Sequence, residues 1–157
     1  MEDPNFRVAL NLMLKSMQEA YTENEHINHQ IVLTIGPTPQ SLLNIDFTQL
    51  PIGMTGKVVD KCHFDHGLTK TQLENIYHVI SSPRALYKSA DPADARIVMS
   101  YDYNKAGEPL IAAVHPNKQL AGRCDYYNSV ASYYHKGGDA EKRWKAAGLM
   151  IWEAPQK

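Results

Sequence analysis

Residues 96–115 read Arg96-Ile97-Val98-Met99-Ser100-Tyr101-Asp102-Tyr103-Asn104-Lys105-Ala106-Gly107-Glu108-Pro109-Leu110-Ile111-Ala112-Ala113-Val114-His115. β-Branched and aromatic residues crowd both ends, and Asn104-Lys105-Ala106-Gly107 is turn chemistry, so Arg96–Tyr103 and Leu110–His115 are expected to form a β-hairpin. Ala85–Ser89 before it, and Tyr126–Tyr134 and Leu149–Trp152 after it, read as further strands. A short helix over Ala140–Ala147 follows Gly137-Gly138-Asp139.

Upstream of residue 85 the period lengthens. Leu73, Ile76, Tyr77 and Ile80 recur at helical spacing behind Thr69-Lys70-Thr71-Gln72, a capping box, and Ser81-Ser82-Pro83 ends the helix. Leu10, Met13, Leu14, Met17 and Tyr21 mark an amphipathic helix near the N-terminus, opened by Asp3-Pro4. Between them, Ile31–Ile35 reads as a strand closed by Gly36-Pro37, Pro39–Leu43 as a short helix, and Pro51-Ile52-Gly53 as a break. Helices first and an antiparallel meander second predict an α+β domain, with N-terminal helices packed on a small curved antiparallel sheet. Residues 1–30 are expected to form a helical arm and residues 31–157 the domain proper.

Composition narrows the function classes. The 157 residues carry 16 Lys and Arg against 17 Asp and Glu, a formal charge of -1, which argues against a generic basic nucleic-acid binder. The charge is uneven: residues 1–60 hold three basic and seven acidic side chains, residues 61–157 thirteen and ten. No apolar run approaches the ~20 residues of a membrane span, and no secretory leader is legible. Two cysteines predict a reduced, cytoplasmic chain rather than a disulfide scaffold. The sequence contains no GxGxxG, Walker A or GxSxG pattern.

Two clusters carry reactive side chains. Lys61-Cys62-His63-Phe64-Asp65-His66 precedes the capped helix. A histidine there suits proton transfer, because a free imidazole titrates near pH ~6.5, and a lysine beside it can stabilise an anion. The same residues also fit a plain turn with an exposed His63. Cys62, His63 and His66 have zinc-ligand chemistry, but no fourth ligand, CxxC pair or HExxH helix accompanies them. The second cluster is Tyr126–Lys136, in which strand alternation predicts Asn128, Val130, Ser132 and Tyr134 on one face and Ser129, Ala131, Tyr133 and His135 on the other. Such a row of hydroxyls and an amide can meet a phosphate or a base edge, or its tyrosines can simply sit at a sheet rim. Arg84, Lys88, Arg96, Lys118, Arg123, Lys136, Lys142, Arg143 and Lys145 give the basic part of the chain enough cations for a groove along a nucleic-acid backbone, and nine tyrosines offer stacking surfaces.

Taken in order, Ile35-Gly36-Pro37-Thr38-Pro39, Leu42, Pro51-Ile52, Met54, Lys61 and His66-Gly67-Leu68 make a pattern. It continues through Leu73, Ser82-Pro83, Tyr87-Lys88-Ser89, Arg96–Tyr101, Gly107–Ile111, Asn128–Tyr134 and Gly148-Leu149-Met150. It resembles the C-terminal toxin domains of phage head-morphogenesis (MuF-type) proteins, within the phage-type branch of the barnase/EndoU/colicin/RelE-like nuclease group. The resemblance implies a metal-independent, cofactor-free ribonuclease, with RNA such as tRNA as substrate, a cognate immunity or antitoxin protein as partner, and no membrane. It also implies that Lys61, His66 and Ser132 are catalytic. Tyr134 and His135 are candidates for the second acid–base group, since His135 here separates Tyr134 from the family's basic position at Lys136. Ser89, Arg96, Tyr101, Asn128 and Lys136 are candidate substrate contacts. The competing expectation is a non-catalytic phage-derived protein that inhibits a host defence or partner protein.

Overall fold

The computed structural model describes residues 1–155. The elements run α1 (Phe6–Glu23), β1 (Val32–Pro37), α2 (Gln40–Leu43), β2 (Pro51–Thr55) and α3 (Gly56–Asp60), then a π-helical turn (Lys61–Asp65). They continue with α4 (Lys70–Glu74), α5 (Ile76–Ser81), β3 (Ala85–Lys88), β4 (Arg96–Tyr103), β5 (Pro109–Gln119), β6 (Tyr126–His135), α6 (Ala140–Ala146) and β7 (Met150–Glu153). The fold is α+β, as the order of periods predicts. The sheet is larger than expected: seven strands in the order β1-β2-β6-β5-β4-β3-β7, antiparallel except where β2 runs parallel to β6.

The added strand β2 is the stretch expected to break the chain. Gly53 sits there because the ring of Tyr127 lies over it, where a Cβ would come within 2.6 Å of the ring. A glycine that admits a neighbour's side chain reads in sequence like a glycine that ends a strand. Pro51 stands at the first position of the strand, where a missing N–H costs least.

Other expectations are met locally. The hairpin turns at Asn104, whose side-chain oxygen accepts from the amides of Ala106 (3.0 Å) and Glu108 (2.9 Å), and Gly107 takes a left-handed φ of 77°. The capping box is present: Gln72 N–H donates to Thr69 Oγ1 (3.1 Å) and Thr69 N–H to Gln72 Oε1 (2.8 Å). The helix behind it divides at Asn75 into α4 and α5, but Leu73, Ile76, Tyr77 and Ile80 all reach the core.

Two apolar layers sandwich the sheet. On the helical side, Phe6, Leu10, Met13, Leu14 and Met17 of α1 join Ile35, Ile52, Met54, Leu73, Ile80, Val98, Leu110, Ala112, Val114, Val130 and Tyr133. Tyr21, read as part of the same apolar stripe, is instead 48% exposed and donates its hydroxyl to Asp60 of α3. The other side is smaller: Ala85, Tyr87, Ile97, Met99 and Ile111 with Tyr134, Trp144 and Met150, covered in part by α6.

One irregularity sets the functional face. Along the β5–β6 ladder Ala113 pairs with Ser132 and Val114 with Val130, which leaves Ala131 as a bulge. Val130 and Tyr133 are therefore both buried on the helical side. The expected grouping of Asn128 and Val130 with Ser132 and Tyr134 is corrected: the extra residue inverts the alternation, so Ser132 and Tyr134 share the side of Ser129.

Candidate functional site

Thr55 caps α3 by accepting from the Val58 amide (3.4 Å), and the helix runs straight into the π-helical turn. On an α-helix, side chains five residues apart diverge by about 140°. Here the His66 amide donates to the Lys61 carbonyl (2.9 Å) across a wider turn, and both side chains border one cleft. The residue pattern predicts no helix here and so gives Lys57, one α-helical turn before Lys61, no place in the site. Lys57 lines the same cleft.

The cleft measures about 560 Å³ and lies between this helical segment and β6. Lys57, Lys61 and His66 stand on one wall, and Ser129, Ser132 and Tyr134 on the other. Among the described residues no carboxylate lines it. The imidazole of His66 stacks on the Tyr134 ring, centroids 5.3 Å apart and planes 27° apart. Lys136 places its ammonium 5.8 Å from the centroid of the same ring. The arrangement joins an exposed imidazole, two ammonium groups and two serine hydroxyls, the groups needed to bind a phosphodiester and move a proton beside it.

The neighbouring reactive residues are occupied otherwise. Cys62 is buried with its thiol against the backbone of Tyr133, and burial pushes it up to about 12, which makes it a poor nucleophile. His63 donates through Nδ1 to the Leu68 carbonyl (2.7 Å). With His66 turned onto Tyr134, Cys62, His63 and His66 do not converge, and among the described residues no group of three or more His, Cys, Asp or Glu is placed to hold a metal. The Tyr133 hydroxyl donates to the Gln72 carbonyl (3.0 Å), and burial, with Asp102 adding to it, raises its pKa.

The predicted site residues separate into groups. Lys61, His66, Ser132 and Tyr134 come together. His135 falls on the other side of β6, its Nε2 3.4 Å from Asp102, which also accepts from Gln72 Nε2 (3.0 Å). Asn128 is fully buried, and its amide donates to Thr38 Oγ1 (2.7 Å) and the Thr48 carbonyl (2.9 Å). Arg96 turns back onto the carbonyls of Ala93 (2.8 Å) and Ala95 (3.0 Å). Tyr101 is 64% exposed beside Asn75 and His78, away from His66. Ser89 and Lys136 border a second cleft that Ser132 and Tyr134 also line. Ser129 joins the site only through the bulge, a feature with no signature in the sequence. His115, directly across the ladder from Ser129, lines the second cleft; burial, assisted by Lys118 and opposed by Asp94, lowers its pKa.

Among the described residues no helix is long and apolar enough to cross a membrane. The sequence model of the phage MuF C-terminal domain matches residues 57–157, from the first turn of α3 onward and so across the whole cleft wall formed by Lys57, Lys61, His66 and β6. No curated protein and no solved structure matches the chain.

Proposed function

Since the chain belongs to the phage MuF C-terminal domain family, we propose that it is an RNA endonuclease that cleaves by transesterification, a toxin of phage or mobile-element origin. The observation that carries this reading is the stacked His66–Tyr134 pair in a cleft that Lys61 and Ser132 also line and that, among the described residues, no carboxylate enters.

His66 takes the proton of the ribose 2′-hydroxyl next to the scissile phosphate. The freed 2′-oxygen attacks phosphorus in line, the bond to the 5′-oxygen breaks, and a 2′,3′-cyclic phosphate remains. Lys61 and the Ser132 hydroxyl stabilise charge on the non-bridging oxygens, and Lys57 adds to the field. Tyr134, within the cleft where His135 is not, donates its hydroxyl proton to the leaving 5′-oxygen. The substrate supplies the nucleophile, so the reaction runs without a metal. In this reading the sheet carries a barnase/EndoU/colicin/RelE-like site, the target is a cellular RNA such as tRNA, the action is cytoplasmic, and the carrier needs an immunity protein.

Incubating the protein with total RNA in EDTA tests it: defined fragments with cyclic phosphate ends are expected, and DNA of the same sequence stays whole. Intact RNA beside folded protein would overturn the proposal and leave a non-catalytic interaction protein as the better account.

A further inference from the structure

Ser132 and Tyr134 line not one cleft but two, so the Tyr134 ring forms a ridge between them. The second cleft, about 460 Å³, is bounded by Lys88, His115, Lys136, Arg143 and Trp144. Its ionic character differs from that of the rest of α6. Arg84 and Lys145 pair with Glu141, and Lys145 also approaches Glu153 (3.9 Å). Among the described residues, Lys88, Lys136 and Arg143 form no ion pair, and neither do Lys57 and Lys61 across the ridge. Five cations without an ion pair therefore line the two clefts that share Tyr134, and among the described residues Asp91 is the single acidic residue lining either.

Like charges gathered without counter-charges raise the potential of a groove, and a polyanion that spans them gains from every contact. Flat apolar surface is present as well: Trp144 lies half-buried against Tyr87, ring centroids 5.3 Å apart, and borders the cleft. Cations beside aromatic faces are what single-stranded nucleic acid requires, charge along its backbone and planes for its bases.

We propose that the second cleft is a subsite for the neighbouring nucleotide of a single-stranded RNA, whose backbone crosses the Tyr134 ridge with one phosphate near Lys61 and His66 and the next held by Lys88 and Arg143. The subsite rests on the nuclease reading for the identity of its ligand but not for its measurement, because binding can be read without cleavage.

The test is fluorescence anisotropy with labelled 2′-O-methyl oligonucleotides, which lack the nucleophile, from one to six nucleotides long. Affinity is expected to rise sharply from the mononucleotide to the trinucleotide. The double variant Lys88→Ala/Arg143→Ala is expected to lose at least tenfold affinity for the longer oligonucleotides, and its salt slope to fall by about 0.7, the value for one lost single-strand phosphate contact. Lys145→Ala, which removes a paired cation elsewhere on α6, serves as the control and is expected to bind as the parent does.

Absence of oligonucleotide binding by the parent, a double variant that binds like the Lys145→Ala control, or displacement of the trinucleotide by equimolar inorganic phosphate would each overturn the proposal. The two readings fail separately. A parent that binds with this length dependence yet leaves RNA whole loses the nuclease and keeps the subsite; one that cleaves while the double variant binds normally does the reverse.

Discussion

The imidazole of His66 lies against the ring of Tyr134, 5.3 Å between centroids, joining the end of the π-helical turn to the strand segment beyond the bulge. The contact fixes the orientation of an otherwise exposed histidine. It also makes the two roles of Tyr134 separable by mutation.

His66→Ala is expected to lower single-turnover RNA cleavage by about 10²–10⁴-fold, the usual worth of a positioned proton-transfer group. Tyr134→Phe keeps the stack and removes only the hydroxyl; Tyr134→Ala removes both and is expected to be slower still. A Tyr134→Phe variant as fast as the parent would show that another group protonates the leaving oxygen.

Deleting Ala131 removes the bulge. One end of β6 must then reverse its faces, either drawing Ser132 and Tyr134 into the helical-side core or expelling Tyr133, which is fully buried. The deletion is expected to abolish the cooperative urea transition, whereas Ala131→Gly, which keeps the residue count, is expected to lose only about 0.5–1 kcal/mol. Equal stability of the two variants would contradict this account of the bulge.

Asn128→Ala strands the Thr48 carbonyl and takes away the partner of the Asn117 amide, which reaches Asn128 Oδ1 at 3.3 Å. Three hydrogen bonds are lost, the one to Thr38 fully buried, at about 1 kcal/mol each, so a loss of about 3 kcal/mol is the expected outcome in chemical denaturation. Because the amide is buried away from the cleft, KM for RNA is expected to stay at the parent's value wherever the variant is folded.

The lowered pKa of His115 carries a sign for acid stability. On acidification the unfolded chain protonates this imidazole first, near its ordinary pH of ~6.5, while the folded protein, which partly desolvates it beside Lys118, still holds it neutral. The unfolded state then binds more protons, so stability is complete above that value and falls as pH drops through the lowered one. His115→Gln is expected to lose less stability than the parent between pH ~7 and ~5, read from urea midpoints. A steeper loss in the variant would reverse the sign.

What the sequence made legible was whatever depends on near neighbours. The hairpin at Asn104–Gly107 and the capping box at Thr69–Gln72 are built from hydrogen bonds spanning two to four residues, and both stand where the pattern puts them. Gly53, the Ala131 bulge and the Lys61–His66 turn answer to distant partners. The ring of Tyr127 explains the first, the β5 ladder the second, and packing of Cys62 into the core accompanies the third. The site followed the same division. Lys61, His66, Ser132 and Tyr134 meet in one cleft, while Lys57, Ser129 and His115 needed the fold to bring them alongside, and the fold took Asn128 and His135 elsewhere.

The region that the family pattern covers and the region that must fold together have different edges. The match to the family's sequence model starts at Lys57, yet β6 carries its serines and Tyr134 as an interior strand only because β2 lies beside it, and α1 packs on β1, α3 and α4. A recombination that transplanted the recognisable stretch alone would deliver every reactive side chain on a sheet with an open seam and an uncovered apolar face. A unit that keeps this sheet closed and its apolar face covered starts ahead of α1, some fifty residues before the family match begins.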